Sequence, residues 1–412
     1  MYKGVNDPFK IEFDSLDELA DRISQVLECP VTIEDASHRL LAYSTHDERT
    51  DPARISTIIG RRVPEKVINQ LWKEGTIPAL LSSKEPIRVK DMNEIGLGHR
   101  VAISIWKQEE VLGFIWALEI DKTLTKDEFV LLKKAAESAK NKLLQLQTRK
   151  NKKEERFQEF FWKLLTGHLK NNEEIINHFH SLKITPAASY ALLVFQFKEN
   201  ISAKEEQHLT YLLKTNQRLK IMLYTVDCNQ FILLASADNM KNTIQELTQF
   251  SEFFIHKMKE RYGVKDITPV FTNHYEDYSY VTHAYDETLE VLLIKNQFPN
   301  ETKNIFTYQN LGIYQFFDVL LQKRKANHYE NYTLKVLREY DQKHNSNLVE
   351  TLDVFLSKDT NINDAAKALN VHANTLNYRL KRIAELGEVD FKNPNQKITL
   401  YIDLRLEKYH KI

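Results

Sequence analysis

Between Phe129 and Leu146, the apolar residues Phe129, Leu132, Ala136, Ala139, Leu143 and Leu146 recur at intervals of three, four, three, four and three. A sustained mean spacing of 3.5 belongs to a helix that lays one seam along a partner. The same frame resumes at Phe157, Phe160 and Leu164, after placing Lys150 and Lys153 on the seam. Those two lysines weaken its middle, because a buried ammonium is costly unless its stem lets it reach water. Two readings follow. One is a continuous, dimerising helix over residues 123–168, and it is the expectation carried forward. The other is two separate amphipathic helices, each packed on its own domain.

A rod in that position divides a chain of 412 residues, which is already too long for one ordinary core and suggests two or three domains. An apolar fraction of 42% suffices for folded domains, and only 10 Gly and 10 Pro argue against a disordered or fibrous chain. Acidic and basic residues balance at 57 each, so any nucleic-acid surface must be a local patch. Cys29 and Cys228, far apart, supply neither a disulfide framework nor a zinc cluster and fit a reducing cytosol. "MYKGVNDPFK" lacks a basic stretch followed by an apolar run, so no signal peptide is expected. The longest apolar runs, such as "VLGFIWALEI", are strand-sized and too short for a bilayer. These bounds predict a cytoplasmic, multidomain protein with no membrane partner.

Residues 1–122 read as mixed α and β. "SLDELADRISQVLE" has Leu16, Leu19, Ile23, Val26 and Leu27 at helical spacing behind a Ser cap. "PVTIEDASHRLLAYS" and "RVAISIWKQEEVLGFIWALE" read as hairpins, and "RVPEKVINQLWKEG" as a helix ending in Gly. An antiparallel sheet flanked by helices often holds a small molecule under a covering helix. Residues 169–305 alternate strand and helix, with a hairpin turn near Asp227–Gln230, a strand at Thr268–Phe271 and a helix from Tyr278 to Lys295. That order fits an α+β sheet with helices on one face. Residues 306–412 carry almost only helical patterns.

Catalytic chemistry has little support. No phosphate-cradling G-x-x-x-x-G-K-[ST] loop occurs, and "GLGHR" precedes a strand and has no third Gly. His178 and His180 fall on opposite sides of a helix, a poor metal geometry. No Ser or Cys lies in a nucleophile motif. Neither cofactor nor metal is expected.

The informative chemistry lies in "NINDAAKALNVHANTLNYRLKRIAELGEVDF" (Asn361–Phe391). A short helix, capped by Asn363 with Asp364 in its first turn, is followed by Asn370, which tolerates a left-handed backbone where a tight turn is needed. Ala366 permits close approach of another helix, and Leu369 and Val371 point inward. The next helix runs from about His372 to Leu386. At about 100° per residue, Leu376, Leu380 and Ile383 form its buried stripe. Asn374, Tyr378, Lys381 and Arg382 take the opposite face, with Thr375 and Asn377 flanking. Such a face suits a DNA major groove: Asn pairs bidentately with adenine, and Lys and Arg serve guanine or phosphate. Arg379 lies nearer the buried stripe, placed for a phosphate or a neighbouring carboxylate. The plainer alternative is a solvated basic face on a core helix, with Asn374 or Thr375 merely capping it.

At these residues the chain resembles the C-terminal helix-turn-helix of PucR/CdaR-type bacterial transcriptional regulators, whose motif reads roughly His-Arg-Asn-Thr-Leu-x-Tyr-Arg-Leu. His372, Asn374, Thr375, Leu376, Tyr378, Arg379 and Leu380 match it, and Ala373 replaces the usual Arg, removing one phosphate contact. "NLGIYQFF" and "REYDQKHNSNLVETLDVFL" extend the likeness to about Asn304. The resemblance implies a middle domain similar to a degenerate diguanylate cyclase (GGDEF-like) fold. Here "VDCNQF" stands at the cyclase turn with no glycine pair and a single acid, Asp227, so this domain is expected to be a non-catalytic scaffold. The N-terminal hairpins are similar to those of GAF- and PAS-type sensors. In such a sensor Arg61, Arg62, His99 and Arg100 could meet a carboxylate ligand, although salt bridges or solvated charges would account for any one of them.

The expectation is therefore a multidomain α+β regulator that is not an enzyme. It joins a GAF/PAS-like N-terminal sensor, a long connecting helix, a GGDEF-like α+β middle domain and an all-α helix-turn-helix C-terminus. Its implied partners are double-stranded promoter DNA, a small metabolite (an amino acid or carboxylate), a second copy of itself and, for an activator, RNA polymerase. An amino-acid catabolic operon is the target favoured. The rivals are a nucleotide cyclase working through the middle domain and a coiled-coil interaction protein.

Overall fold

A computed structural model describes residues 8–10, 13–44, 50–238 and 240–409; the side chains of residues 149–151, Lys150 among them, lie outside the described residues. The chain divides into two compact units, Met1–Tyr285 and Asp286–Ile412.

The first unit begins with α1 (Leu16–Leu27), β1 (Val31–Asp35), β2 (Leu40–Tyr43), α2 (Pro52–Gly60), α3 (Glu65–Lys73), α4 (Thr76–Leu80), β3 (Ile87–Val89), β4 (Arg100–Lys107) and β5 (Glu110–Leu118). The strands form one antiparallel sheet in the order β2-β1-β5-β4-β3. Side chains alternate across a strand, and here both sets are buried. Ile103, Ile105 and Ile115 pack with α1 on one face, while Ala102, Phe114 and Trp116 pack with Val67, Leu71, Ile77 and Leu80 on the other. That double burial explains why β4 and β5 read as near-continuous apolar runs.

The long apolar spacing forms one helix, α5 (Lys126–Leu165), started by a reciprocal capping box between Thr125 and Glu128. Its stripe is not left for a second copy. Leu132, Ala136, Ala139 and Leu143 are buried in the core beneath the first sheet, beside Ile23, Val101 and Ile115, and Phe129 packs at its edge. The expectation of a dimerising seam is corrected there. A 3.5-residue repeat specifies an apolar stripe, and a sheet in the same chain covers such a stripe as well as a second helix does. Leu146, by contrast, is exposed.

Downstream come α6 (Asn172–Ser181), β6 (Tyr190–Gln196), α7 (Ala203–Thr215), β7 (Ile221–Asp227), β8 (Gln230–Ser236), α8 (Thr243–Tyr262) and β9 (Thr268–Phe271). This β-α-β-β-α-β run makes a second antiparallel sheet, β7-β8-β6-β9. Phe254 of α8 seals it, 4.8 Å from Phe195 and stacked at 6.0 Å on Phe231. The β7–β8 turn is the pair Cys228–Asn229, with Cys228 at a left-handed φ of 49°. Phe160 of α5 stands edge-on to Phe179 of α6 at 5.0 Å, so the same helix contributes to both sheets' surroundings.

After α9 (Val281–Gln297), the second unit is helical: α10 (Phe317–Ala326), α11 (Tyr332–His344), α12 (Leu348–Ser357), α13 (Ile362–Ala368), α14 (Ala373–Gly387) and α15 (Pro394–Lys408). Two buried ions of α15 hold it in place. Arg405 donates to Asp353 (2.5 Å) and Ser357 of α12, and Asp403 meets Arg324 of α10 and the Asn331 amide. Buried charges are tolerated when each finds such partners.

Gly113 lies at a close approach of α5 to the first sheet. A Cβ there would lie 2.2 Å from the Glu34 carbonyl oxygen and 2.7 Å from Leu143 Cδ2. Gly113→Ala is expected to destabilise the protein by roughly 1–3 kcal/mol through overpacking, measured as a lowered urea midpoint at unchanged slope.

Candidate nucleic-acid interface

The helix pair α13–α14 is built from local chemistry upward. The cap of α13 is Asn361, not Asn363: its side-chain oxygen accepts from the backbone N–H groups of Asn363 (2.9 Å) and Asp364 (3.2 Å). The cap expected from sequence is Asn363; the actual cap lies two residues earlier, and the helix begins at Ile362. Asp364 does occupy the first turn.

At the other end Asn370 adopts a left-handed φ of 53°. The Val371 N–H reaches the Ala366 carbonyl at 3.0 Å, and the Asn370 N–H reaches that of Lys367 at 3.2 Å. This 6→1 and 5→2 pair is the Schellman arrangement. It turns the chain sharply and brings Val371 against the core as a partly buried plug.

His372 then caps α14, its Nδ1 accepting from the Asn374 N–H at 3.2 Å. Neither Asn374 nor Thr375 caps the helix, so both side chains are spared that duty. Leu376 and Ile383 are fully buried and Leu380 nearly so, packed with Leu352 and Phe355 of α12 and Ala365 and Ala366 of α13; Leu369 closes the rim. Gly387 lets α11 come close, with Thr333 donating to its carbonyl at 2.9 Å.

The outer face of α14 is polar and open. His372, Asn374, Thr375, Asn377, Tyr378 and Lys381 are all exposed, and Tyr378, at 72%, is among the most exposed aromatic side chains described. Two arginines are placed differently. Arg379 donates from Nη1 to the buried Thr351 hydroxyl of α12 at 3.2 Å, so its neighbour is a hydroxyl rather than a carboxylate. Arg382 lies over the Tyr340 ring of α11 at 5.1 Å and reaches Glu385 at 3.4 Å. Held at the helix flank, its guanidinium suits a phosphate better than a base edge.

The four proposed carboxylate contacts of the first unit have separate environments. Arg61 ends α2 in a left-handed conformation, over the Tyr43 ring. Arg62 donates to the Lys214 carbonyl, and His99 faces Asp91 at 3.1 Å. Arg100 alone of the four lines the cavity between the first sheet and α2–α3, and it is paired there with Asp51. The same cavity is lined by Thr32, Glu34, Arg54 and Thr57, which sequence inspection passed over. The available signal was Arg54, the one charged residue in the "PARISTIIG" helix. Among the described residues no cluster of three or more His, Cys, Asp or Glu could hold a metal, and no helix is long and apolar enough to cross a membrane.

A split between stability and surface chemistry follows along α14. Leu376→Ala should cost roughly 2–5 kcal/mol, whereas Tyr378→Ala should stay within about 0.5 kcal/mol of the parent. Urea unfolding of both variants checks this; equal losses would mean that Tyr378 packs rather than projects.

Comparison with known proteins adds independent findings. A family model of the PucR C-terminal helix-turn-helix domain matches residues 348–406. The chain is 53% identical to the DNA-binding transcriptional activator AdeR of Bacillus subtilis (strain 168), over 97% of this chain and 95% of that protein. It is 28% identical to the proline-responsive transcriptional activator PutR of the same organism, over 96% and 97%. A likeness of 27% to the carbohydrate diacid regulator of Escherichia coli (strain K12) covers 47% of this chain and 51% of that protein.

Proposed function

The chain belongs to the PucR/CdaR-type family of bacterial transcriptional regulators, and we propose that it activates catabolic genes by laying the outer face of α14 in the major groove of promoter DNA. The observation that carries this is the separation of duties on α14. Leu376, Leu380 and Ile383 anchor the helix while Asn374, Tyr378 and Lys381 stand free of intramolecular work on an exposed face. In this role Asn374, Asn377 and Lys381 read base edges. Thr375 and Tyr378 contact bases or sugar, and His372, Arg379 and Arg382 position the helix on the phosphates. The His372 cap bond uses Nδ1 as acceptor, which leaves Nε2–H as the donor of a neutral ring.

The rest of the chain serves as sensor and scaffold. The sheet order 2-1-5-4-3 with helices on both faces supports a GAF/PAS-like domain in residues 1–122. The β-α-β-β-α-β order supports a GGDEF-like domain in residues 169–305. Its turn, Asp227-Cys228-Asn229-Gln230, lacks the glycines that would let backbone approach phosphate, which favours a scaffold over a cyclase. Residues 123–168 connect the two, and residues 306–412 bind DNA. PutR is named as proline-responsive, and an amino acid or other carboxylate is the effector we favour here. Two copies on half-sites about one helical turn apart, or a multiple of it, are the arrangement this motif uses on DNA. An activator of this kind would meet RNA polymerase in the cytoplasm.

Footprinting on the promoter adjoining its gene, at low and moderate salt, tests the proposal. Asn374→Ala or Lys381→Ala should relax base preference, each costing about 1–3 kcal/mol on the preferred site. Arg382→Ala should weaken binding on all sequences and reduce the salt slope by about one. Absence of any footprint from the folded full-length protein would sink the proposal, and uniform losses for all three variants would reject the division of roles.

A further inference from the structure

The cavity under α2 combines features that a purely structural void does not need. Its walls carry two buried guanidiniums, Arg54 and Arg100, and one buried carboxylate, Glu34, among apolar side chains such as Val67 and Leu97. Burying ionic groups is costly unless each is paired and hydrogen-bonded, and this cavity sets charges of both signs in one lining. The two signs sit on different elements. Arg54 of α2 donates to the Ser44 carbonyl at 3.1 Å, and Arg100 of β4 pairs with Asp51. Glu34 of β1 takes two donors on a single oxygen: Oε2 accepts from Trp116 Nε1 at 3.1 Å and lies 3.2 Å from His38 Nδ1.

Glu34 also begins a chain of hydrogen bonds that leaves the first sheet. His38 Nε2 lies 2.9 Å from the Tyr211 hydroxyl on α7, and Trp72 Nε1 of α3 donates to the same hydroxyl at 2.9 Å. One assignment satisfies every member. Trp72 N–H donates to the Tyr211 oxygen, Tyr211 O–H donates to His38 Nε2, and His38 Nδ1–H donates to Glu34. Burial holds the Tyr211 phenol well above its ordinary range, so it stays a donor. His38 is fully buried at a left-handed φ of 58° and stacks on Phe114 at 5.0 Å, so its ring has little freedom to face elsewhere.

We infer that this cavity binds a small α-amino acid, its carboxylate against Arg54 and Arg100 and its ammonium against Glu34, and that the Glu34–His38–Tyr211 chain reports occupancy to the middle domain. The inference deepens the proposed regulatory function and rests on it only for the final response. An ammonium drawn to Glu34 Oε2 competes with the two donors already there. The His38 bond to that oxygen weakens, and with it the orientation that holds Tyr211. The volume now open is about 20 Å³, room for one water. A ligand therefore enters as α2 shifts. α2 roofs the cavity through Ala53, Arg54 and Thr57 and turns Ile55 and Ile59 to the exterior. Asp51, its cap, holds it by accepting from the N–H groups of Arg54 and Gly98, both at 2.7 Å, and from Arg100. A carboxylate arriving at Arg100 competes with Asp51 and loosens that latch.

Calorimetric titration of the full chain with glycine, L-alanine, L-serine and L-proline tests the site, with propionate and ethylamine as half-ligands. At least one amino acid should bind saturably, with both half-ligands weaker by about tenfold or more. Glu34→Gln, which keeps an acceptor oxygen for His38 and Trp116, should weaken that amino acid by about tenfold or more. Tyr211→Phe should bind it within about threefold of the parent while losing the ligand-induced change in promoter footprint. No binding by any of the four at about 10 mM overturns the site, as does propionate binding equally well or Glu34→Gln binding like the parent. A Tyr211→Phe protein that still responds to ligand overturns the relay. Loss of the footprint in the ligand-free parent would instead remove the DNA-binding premise and leave the calorimetric result standing.

Discussion

The first unit depends on the burial of one stripe of α5. Leu132, Ala136, Ala139 and Leu143 cover the sheet face formed by Val101, Ile103 and Ile115. α1 shares that cover through Leu19, Ile23 and Leu27, and together the two helices keep this face from water. Burial of apolar area at about 25 cal/mol per Å² makes that cover a stabilising contribution to the five-stranded sheet. The small residues Ala136 and Ala139 bring helix and sheet close, and Gly113 lies where no side chain fits between the Glu34 carbonyl and Leu143. Further along, α5 uses Phe160 to engage Phe179. A single helix thus participates in both α+β halves of the unit, and a shared element is the kind that can carry a change of packing from one to the other.

The opposite sheet face is organised by polarity rather than by apolar area alone. Phe114 and Trp116 pack against α3 and α4, yet Trp116 also spends its indole N–H on Glu34. A buried carboxylate is tolerable only when its oxygens are matched with donors. Here the matching runs from Trp116 and His38 to Tyr211 and Trp72, so α7 completes a network begun on β1. The Arg261 guanidinium over the Trp72 ring at 4.9 Å and the Arg62 bond to the Lys214 carbonyl reinforce the same contact. Arg62, one of the four candidate ligand contacts, thus links the loop after α2 to the end of α7.

The second unit shows how few residues are needed to aim the second helix of a helix-turn-helix pair. The Schellman turn at Asn370 sets the angle between α13 and α14, three apolar side chains fix the rotation of α14, and the His372 cap fixes where it starts. Arg379 adds a polar strut to Thr351. With rotation and start set from within, the exposed side chains are free for recognition.

The sequence by itself determined the faces of α14, the left-handed turn at Asn370, both hairpins of the first sheet and the apolar stripe of α5. Each follows from contacts within a few residues, where helical period, pleat and capping chemistry act. It also displayed a motif specific enough to mark the family. The tertiary structure decided what those faces meet. It gave the α5 stripe to a sheet of its own chain instead of a second copy, because burial of apolar area does not depend on which partner supplies it. It chose Asn361 over Asn363 as cap, two residues earlier in the chain. It also gathered Glu34, Arg54 and Arg100 around one cavity and set His38 against Tyr211, 173 residues away. Separations of that length leave no periodicity to read, and only the folded chain closes them.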